Sequence, residues 1–459
     1  MCDRIDHHKK GGVIEMMKRG VCVFLLICMV VTSVAAAWFP DVPTSHEHYD
    51  AITALSEKGI INGYSDGTFK PNGNITRAEA ATIIARAAEL GKSSKASLYY
   101  DVATGSWACG YIMAATDAGI INGFGAGKFS PNGTVTYNQM IKMIVCMIGL
   151  EDQALKNGGW PLGYVTTASR HGIIDSSTST SIRYKGLGNT PIARQKVAAF
   201  LYNALAYREK NTLYVGGKAL WLGMSASRLG TPDARLDSVG NFVWYIYGTD
   251  TYQNFYAVGV DQNKIVALTA AGRGFRYMGY QSGDVVPPNI YLNSNACLYA
   301  DSNDGYIAHG ALILADGYQY DRHVPAAWEL AGECKLNFHC VNAFRVYHNL
   351  RPLKWSEQAA VSARLHSEDM AQNNYFSHTS LSGTSVGERI YEQGIDWMSC
   401  GENIAAGTGH FLGFYAYNGW VNSAGHRKNM LNDYNYLGIG MAYNQNSTYR
   451  FYTTQNFFG

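Results

Sequence analysis

The chain has 459 residues, 37 basic and 35 acidic side chains, and 13% aromatic residues, among them 32 Tyr. That length exceeds what one hydrophobic core serves, so three or more domains are expected. A net charge of +2 excludes nucleic-acid binding through bulk charge, and the tyrosines suit either surfaces that contact sugars and peptides or well-packed strands.

At the N-terminus, Lys18 and Arg19 precede an apolar run that ends in Ala35-Ala36-Ala37, the pattern of an export signal with a small-residue cleavage site. Residues 1–37 are assigned as a signal peptide, with a retained membrane anchor as the alternative. Translation is expected to start at Met16 or Met17, because Met1 to Glu15 fit neither a signal nor a fold. No later stretch is apolar enough to span a bilayer. Beyond the signal six cysteines remain: Cys109, Cys146, Cys297, Cys334, Cys340 and Cys400. An even count in an exported protein permits disulfides without choosing a pairing. Cys109 and Cys146 read either as one disulfide or as two unpaired thiols.

Next comes a repeat. "GIINGYSDGTFKPNGNITRAEA" at Gly59 to Ala80 returns sixty residues later as "GIINGFGAGKFSPNGTVTYNQM" at Gly119 to Met140. Each unit reads as a helix stopped by a Gly, a Gly/Pro/Asn turn and a second helix opened by a capping box, Thr76 with Glu79 and Thr136 with Gln139. A looser third unit places "GYVTTASRHGIID" at 163–175 and "TPIARQKVAAFLYNAL" at 190–205, which aligns Arg194 with Arg77 while Tyr137 holds that position in the second unit. In the third unit Ala193 occupies the N-cap, or Thr190-Pro191 caps in a shifted register. An Arg in the first turn of a helix faces partial positive charge. It is explained either by an anion held with the free N–H groups or by a methylene stem covering its neighbours.

These motifs resemble the S-layer homology (SLH) repeat over residues 38–207. The resemblance implies an all-α, three-lobed bundle that binds pyruvylated secondary polysaccharide of the cell wall, with Arg77 and Arg194 as contacts and Tyr137 marking a degenerate or specialised groove. The units fall at 38–92, 93–155 and 156–210.

From about Leu213 the pattern alternates. Phe242, Trp244 and Ile246 share one face of a strand, and "FYAVGVDQNKIVALTA" reads as two strands joined at Asp261-Gln262-Asn263. Residues 211–330 resemble the small β-rich (α+β) domain found ahead of CAP modules, where packing or spacing is the expected role. A helix is then expected from about Cys340 to Leu350, a second with Ser356 as N-cap, and a closing hairpin with its turn at Asn444 to Ser447. Between them lie His378 in "YFSH", Glu402 in "CGENIA" and His426 in "SAGHRKNM". Two His and a carboxylate suit a divalent metal, acid–base work or plain structural hydrogen bonding, and their even spacing of 24 residues places no two on one helix turn.

In order and context these landmarks resemble the bacterial branch of the CAP (cysteine-rich secretory protein) superfamily over residues 335–459. The resemblance implies an α–β–α sandwich whose cleft gathers His378, Glu402 and His426, with zinc as a possible metal on those three. It usually has a second acid. Here Ser382 and Gly383 stand where that acid often lies, leaving Glu388 as its substitute.

Three functions follow from the two resemblances. The preferred one is an exported protein anchored to wall polysaccharide that presents a CAP module to a small-molecule, lipid or peptide ligand and needs no cofactor. The others are a metal-assisted hydrolase and a structural S-layer component. No positioned nucleophile is visible, which weighs against an enzyme.

Overall fold

In a computed structural model of the protein, residues 39–287, 290–293, 296–315, 324–408 and 412–459 are described. The signal segment and its start sites lie outside them. The N-terminal region is helical: α1 (Tyr49–Glu57), α2 (Arg77–Ala87), α3 (Cys109–Asp117), α4 (Tyr137–Met147), α5 (Glu151–Lys156), α6 (Leu162–Arg170), α7 (Ser176–Tyr184) and α8 (Arg194–Lys210). Both expected capping boxes are present, while Ala193 opens α8 without a side-chain cap. Gly59, Gly119 and Gly172 follow α1, α3 and α6 at φ of +66°, +70° and +68°, a conformation that costs glycine least. The turns are held alike: Asp41 accepts from the Phe69 and Lys70 N–H groups at 2.9 and 2.7 Å, and Asp101 from those of Phe129 and Ser130 at 2.8 and 2.7 Å.

The three units are joined cyclically. Short antiparallel bridges link Thr76 to Thr134, Thr136 to Pro191 and Asn74 to Ala193, so each unit touches both others ahead of its second helix. The first turns of α2 and α8 complete the ring. The Arg77 and Ala78 N–H groups donate to Gly133 and Pro131 carbonyls, and those of Arg194 and Gln195 to Gly73 and Pro71.

The middle of the chain is β-rich. It contains β1 (Leu213–Val215), β2 (Lys218–Leu220), β3 (Ala234–Asp237), β4 (Val243–Tyr247), β5 (Tyr256–Asp261), β6 (Lys264–Ala271), β7 (Phe275–Tyr277), β8 (Tyr280–Gln281), β9 (Ile290–Asn293), β10 (Ala296–Asp301) and β11 (Ile307–Leu314). An antiparallel sheet runs β3-β4-β5-β6-β11-β10-β9, and a smaller one runs β2-β1-β7-β8. Val258 and Leu268 pack with Leu213, Val215 and Phe275 of the small sheet, whereas Phe242, Trp244 and Ile246 share a core with the C-terminal region.

That region contains α9 (Ala327–Tyr347), β12 (Lys354–Trp355), α10 (Glu357–Asn373), α11 (Val386–Glu392), β13 (Cys400–Gly407), α12 (Leu412–Val421), α13 (Ala424–Leu431), β14 (Tyr436–Tyr443) and β15 (Phe451–Phe458). Helix α9 starts well before Cys340, because its first half is buried against the middle sheet: Gly332 has no room for a Cβ, which would lie 1.9 Å from the Asp237 carbonyl. The sheet runs β12-β14-β15-β13. Leu437, Ile439 and Met441 of β14 face the core shared with α9 and α12, while Gly438 and Gly440 lie under α10, where a Cβ would come within 2.2 and 2.0 Å of backbone nitrogens. Two layers of helix therefore cover one sheet. The six described cysteines are unpaired thiols, and Cys109, Cys334 and Cys340 are buried.

The joint between middle sheet and C-terminal region buries titratable groups. His309 of β11 is fully buried, bonds the Tyr417 hydroxyl at 3.1 Å and titrates near pH 3, chiefly because burial disfavours its charge. Glu333 of α9 is 1% exposed, accepts from Ser238 at 3.2 Å and is raised by burial to about 7. Their signs oppose. A depressed His loses stability as pH falls from 6.5 towards its folded value, whereas a raised Glu loses it as pH rises from 4.5 to about 7. Replacing Glu333 by Gln should therefore raise the thermal unfolding temperature at pH 8 and leave it nearly unchanged at pH 4.5. Scanning calorimetry at the two pH values reads this, and an equal effect at both would contradict it.

Candidate functional site

The C-terminal cleft is built on a buried carboxylate. Glu402 lies in β13 with its side chain 2% exposed, a position tolerable for a charge only when it is paired. His378 Nδ1 meets Glu402 Oε1 at 2.9 Å, and the Arg389 Nη2 donates to Oε2 at 2.5 Å. Arg389 Nη1 also donates to the carbonyls of His378 and Thr384, so one guanidinium fixes both the acid and the loop that carries the imidazole. The His378 side chain stays 55% exposed. His426, in α13, is held below the usual imidazole range first by burial and then by the charge of His378. The structure thus gathers the three expected residues in one neighbourhood.

Glu388 does something else. Its carboxylate accepts from the Ser385 N–H and hydroxyl at 2.7 Å each, closing the capping box of α11, and those hydrogen bonds lower its pKa. The group that reaches Glu402 in the structure is its neighbour Arg389. A zinc ion on His378, Glu402 and His426 fits these residues poorly, since both Glu402 oxygens are engaged and one partner is a cation. Among the described residues, three ligand atoms come within 4.8 Å of one another only at Asp301, Asp304 and His348. There Arg427 already pairs with Asp301 at 2.9 Å.

Beneath the cleft runs a buried amide ladder that the motifs did not reveal. Gln455 Nε2 donates to Asn337 at 2.7 Å, Asn403 Nδ2 to Gln455 at 3.0 Å and to the His426 carbonyl at 3.1 Å, and Asn429 Nδ2 to Asn403 at 2.9 Å and to the Glu402 carbonyl at 3.0 Å. It ties both cleft strands to α9 and α13. The available signal was "TTQN" inside the otherwise aromatic strand "FYTTQNFF", all eight residues of which are buried.

In the N-terminal region Arg77 and Arg194 are 4% and 3% exposed. Arg77 donates from Nε to Phe129 O at 2.8 Å and from Nη2 to Asn122 O at 2.9 Å; Arg194 repeats this on Phe69 O and Asn62 O at 2.9 and 2.8 Å. Each arginine thus clasps the turn of the next unit. The helix-start N–H groups expected to help hold an anion are also taken, by the neighbouring unit's carbonyls. Tyr137 donates its N–H to Thr190 O and packs edge-on against Phe200. Glu79 lies 3.9 Å from Arg194 Nη1, whereas the equivalent position beside Arg77 is the neutral Gln139.

Comparison with known proteins matches the two ends of the chain to two different families. The model of the cysteine-rich secretory protein family (CAP) matches residues 338–457, and that of the S-layer homology domain (SLH) matches 39–81 and 98–141. The chain is 30% identical over 286 residues to a Bacillus subtilis protein named "Uncharacterized membrane protein YlbC", across 50% of this chain and 79% of that one. It is 38% identical over 128 residues to the S-layer protein sap of Bacillus anthracis, across 28% of this chain and 16% of that one. Among solved structures, an extracellular Bacillus anthracis protein containing an SCP domain is 27% identical, with a TM-score of 0.42, across 50% of this chain and 90% of that one. The chain belongs to the CAP family and carries SLH domains ahead of its CAP domain, the make-up of a cell-surface protein. It spans 16% of the length of that S-layer protein, and no helix among the described residues is long and apolar enough to cross a membrane.

The buried pair has a measurable signature. Arg389→Met and Glu402→Gln should each cost about 3–5 kcal/mol, because each strands the other's group in the interior. The double variant should cost less than the sum of the two, and a chemical-denaturation cycle that comes out additive would contradict this pairing.

Proposed function

We propose that residues 38–92, 93–155 and 156–210 form a three-lobed anchor that holds the protein non-covalently to an acidic, pyruvylated secondary polysaccharide of the cell wall. The CAP domain is then presented outward to bind an extracellular ligand. The observation that carries the anchoring reading is the inequality of the two arginine grooves. Arg77 stacks on the ring of Phe124, 4.3 Å from its centroid, and Phe124 is 57% exposed. Tyr100, exposed as well, is tied to the same turn through the Gly127 carbonyl. A cation backed by open aromatic faces suits an acidic sugar.

Arg194 has the same geometry but faces Glu79, which offsets its charge, and Tyr64, whose hydroxyl donates to that acid at 3.2 Å. Tyr137 puts no cation at the equivalent position of the remaining groove. In this reading Arg77 is the principal contact, Arg194 the secondary one and Tyr137 the marker of a specialised groove. At the other end, the exposed His378 imidazole backed by Glu402 offers a fixed hydrogen-bonding group to a polar part of a small-molecule, lipid or peptide ligand. The hydrolase reading is less well supported, because the carboxylate that would activate a nucleophile is held on both oxygens.

Adding or removing one carboxylate inside a groove tests the anchor without disturbing the fold. Gln139→Glu keeps the capping box yet gives Arg77 the acid that Arg194 already has, and should weaken binding to purified cell-wall sacculi about tenfold. Glu79→Gln should strengthen it. Removal of pyruvyl groups from the sacculi should abolish retention of the parent protein. Undiminished retention of Gln139→Glu would remove Arg77 from the role, and retention that ignores the pyruvyl groups would remove the acidic polysaccharide.

A further inference from the structure

Where the helical region meets the middle sheets, a cavity of about 500 Å³ is lined from both sides. That lies within the roughly 300–1,000 Å³ of small-molecule sites. Its walls include Arg170 and His171 at the end of α6, Tyr207 and Lys210 at the end of α8, Asp152 from α5, and Tyr277 from β7. The junction that forms it is tight. Gly149 and Gly223 meet backbone to backbone: a Cβ on Gly149 would lie 2.1 Å from the Leu222 carbonyl, and one on Gly223 would lie 2.2 Å from the Gly149 Cα. Arg208 and Arg228 hold the same junction, reaching the Ala87 and Ala88 carbonyls at 2.7 and 2.9 Å with the Trp221 ring beneath both guanidiniums. The cavity is therefore formed before any ligand arrives.

The described side chains of its lining are net positive, with Arg170, Arg208 and Lys210 against Asp152. Arg208 is answered by Glu89 at 2.9 Å, but Arg170 bonds only the neutral Asn157 Oδ1, at 2.6 Å, and Lys210 makes no ion pair among the described residues. Basic side chains at helix C-termini are ordinarily explained by the helix dipole. Here two such ends converge on one concave space whose single carboxylate among the described residues is Asp152, beside an imidazole bonded to Gln153 at 2.6 Å and set 4.8 Å from the Tyr207 ring. The lining offers cations for a carboxylate, an amide for a hydroxyl and a ring for a sugar face, set beside the apolar Leu150, Leu222, Met278 and Ile313.

We propose that this interdomain cavity binds an acidic saccharide, which makes the middle domain half of a second glycan site rather than a spacer. The site is separate from the SLH grooves and does not rest on the assignment of Arg77. Isothermal titration of the exported chain, residues 38–459, with trigalacturonate tests it, with maltotriose and inorganic phosphate as the neutral-sugar and bare-anion probes. Saturable binding of trigalacturonate is expected, well above that of either control. Lys210→Ala with Arg170→Ala, both at exposed positions, should weaken it about tenfold, and Tyr207→Ala should weaken it too. Gln139→Glu, which acts in the SLH groove, should leave it unchanged. Absence of trigalacturonate binding, phosphate binding of equal strength, or affinity indifferent to Lys210 and Arg170 in a variant with parental unfolding temperature would each overturn the proposal.

Discussion

A charged group can be buried only where its hydrogen bonds are met, and both halves of this protein are organised around that demand. In the N-terminal half the demand is met across units, with Arg77 and Arg194 filling the turn carbonyls of a neighbour. In the C-terminal half it is met across a loop, with Arg389 joining Glu402 to the backbone of the segment that carries His378. The two arrangements share one logic: a guanidinium, planar and with several donors, bonds simultaneously to groups from different elements. Removing any of these three cations strands its partners in the interior, so the local geometry of groove and cleft follows from the pairing.

Between the halves, α9 connects the middle sheet and the CAP sheet through one continuous core containing Trp244, Leu336, Phe344 and Ile439. The cleft is consequently mounted on the middle domain by a packed surface. The Gly149–Gly223 contact and the Arg208 and Arg228 clasp mount that domain in turn on the helical units. The direction in which His378 faces is thereby tied to the orientation of the SLH domains.

Local rules made much of this legible. Capping boxes, glycine stops and the alternation of Phe242, Trp244 and Ile246 are written within a few residues of one another, and the structure holds them as read. What could not be read spans longer distances. The sequence around Arg77 and Arg194 displays only their own helix starts, while the carbonyls they clasp lie 45 to 132 residues away in the chain. Glu388 has the type and position of a second acid, and Ser385, three residues before it, engages its carboxylate in a helix cap. Arg389 carries no such signal, because a cation is not what a cleft of His and acids suggests. The early start of α9 is hidden for a related reason: its first half is buried by a domain that precedes it in the chain, and no helical periodicity within α9 announces that surface.

The cyclic order of the arginine clasps has a bearing on biosynthesis. The turn of the first unit, with the carbonyls of Asn62 and Phe69, is completed by a side chain from position 194, whereas the turn of the second unit is completed by Arg77, already made. A chain emerging from its N-terminus can therefore finish the second unit's turn before the first unit's. The earliest unit to appear is the last to be closed, and it stays open until more than a hundred further residues have followed it out.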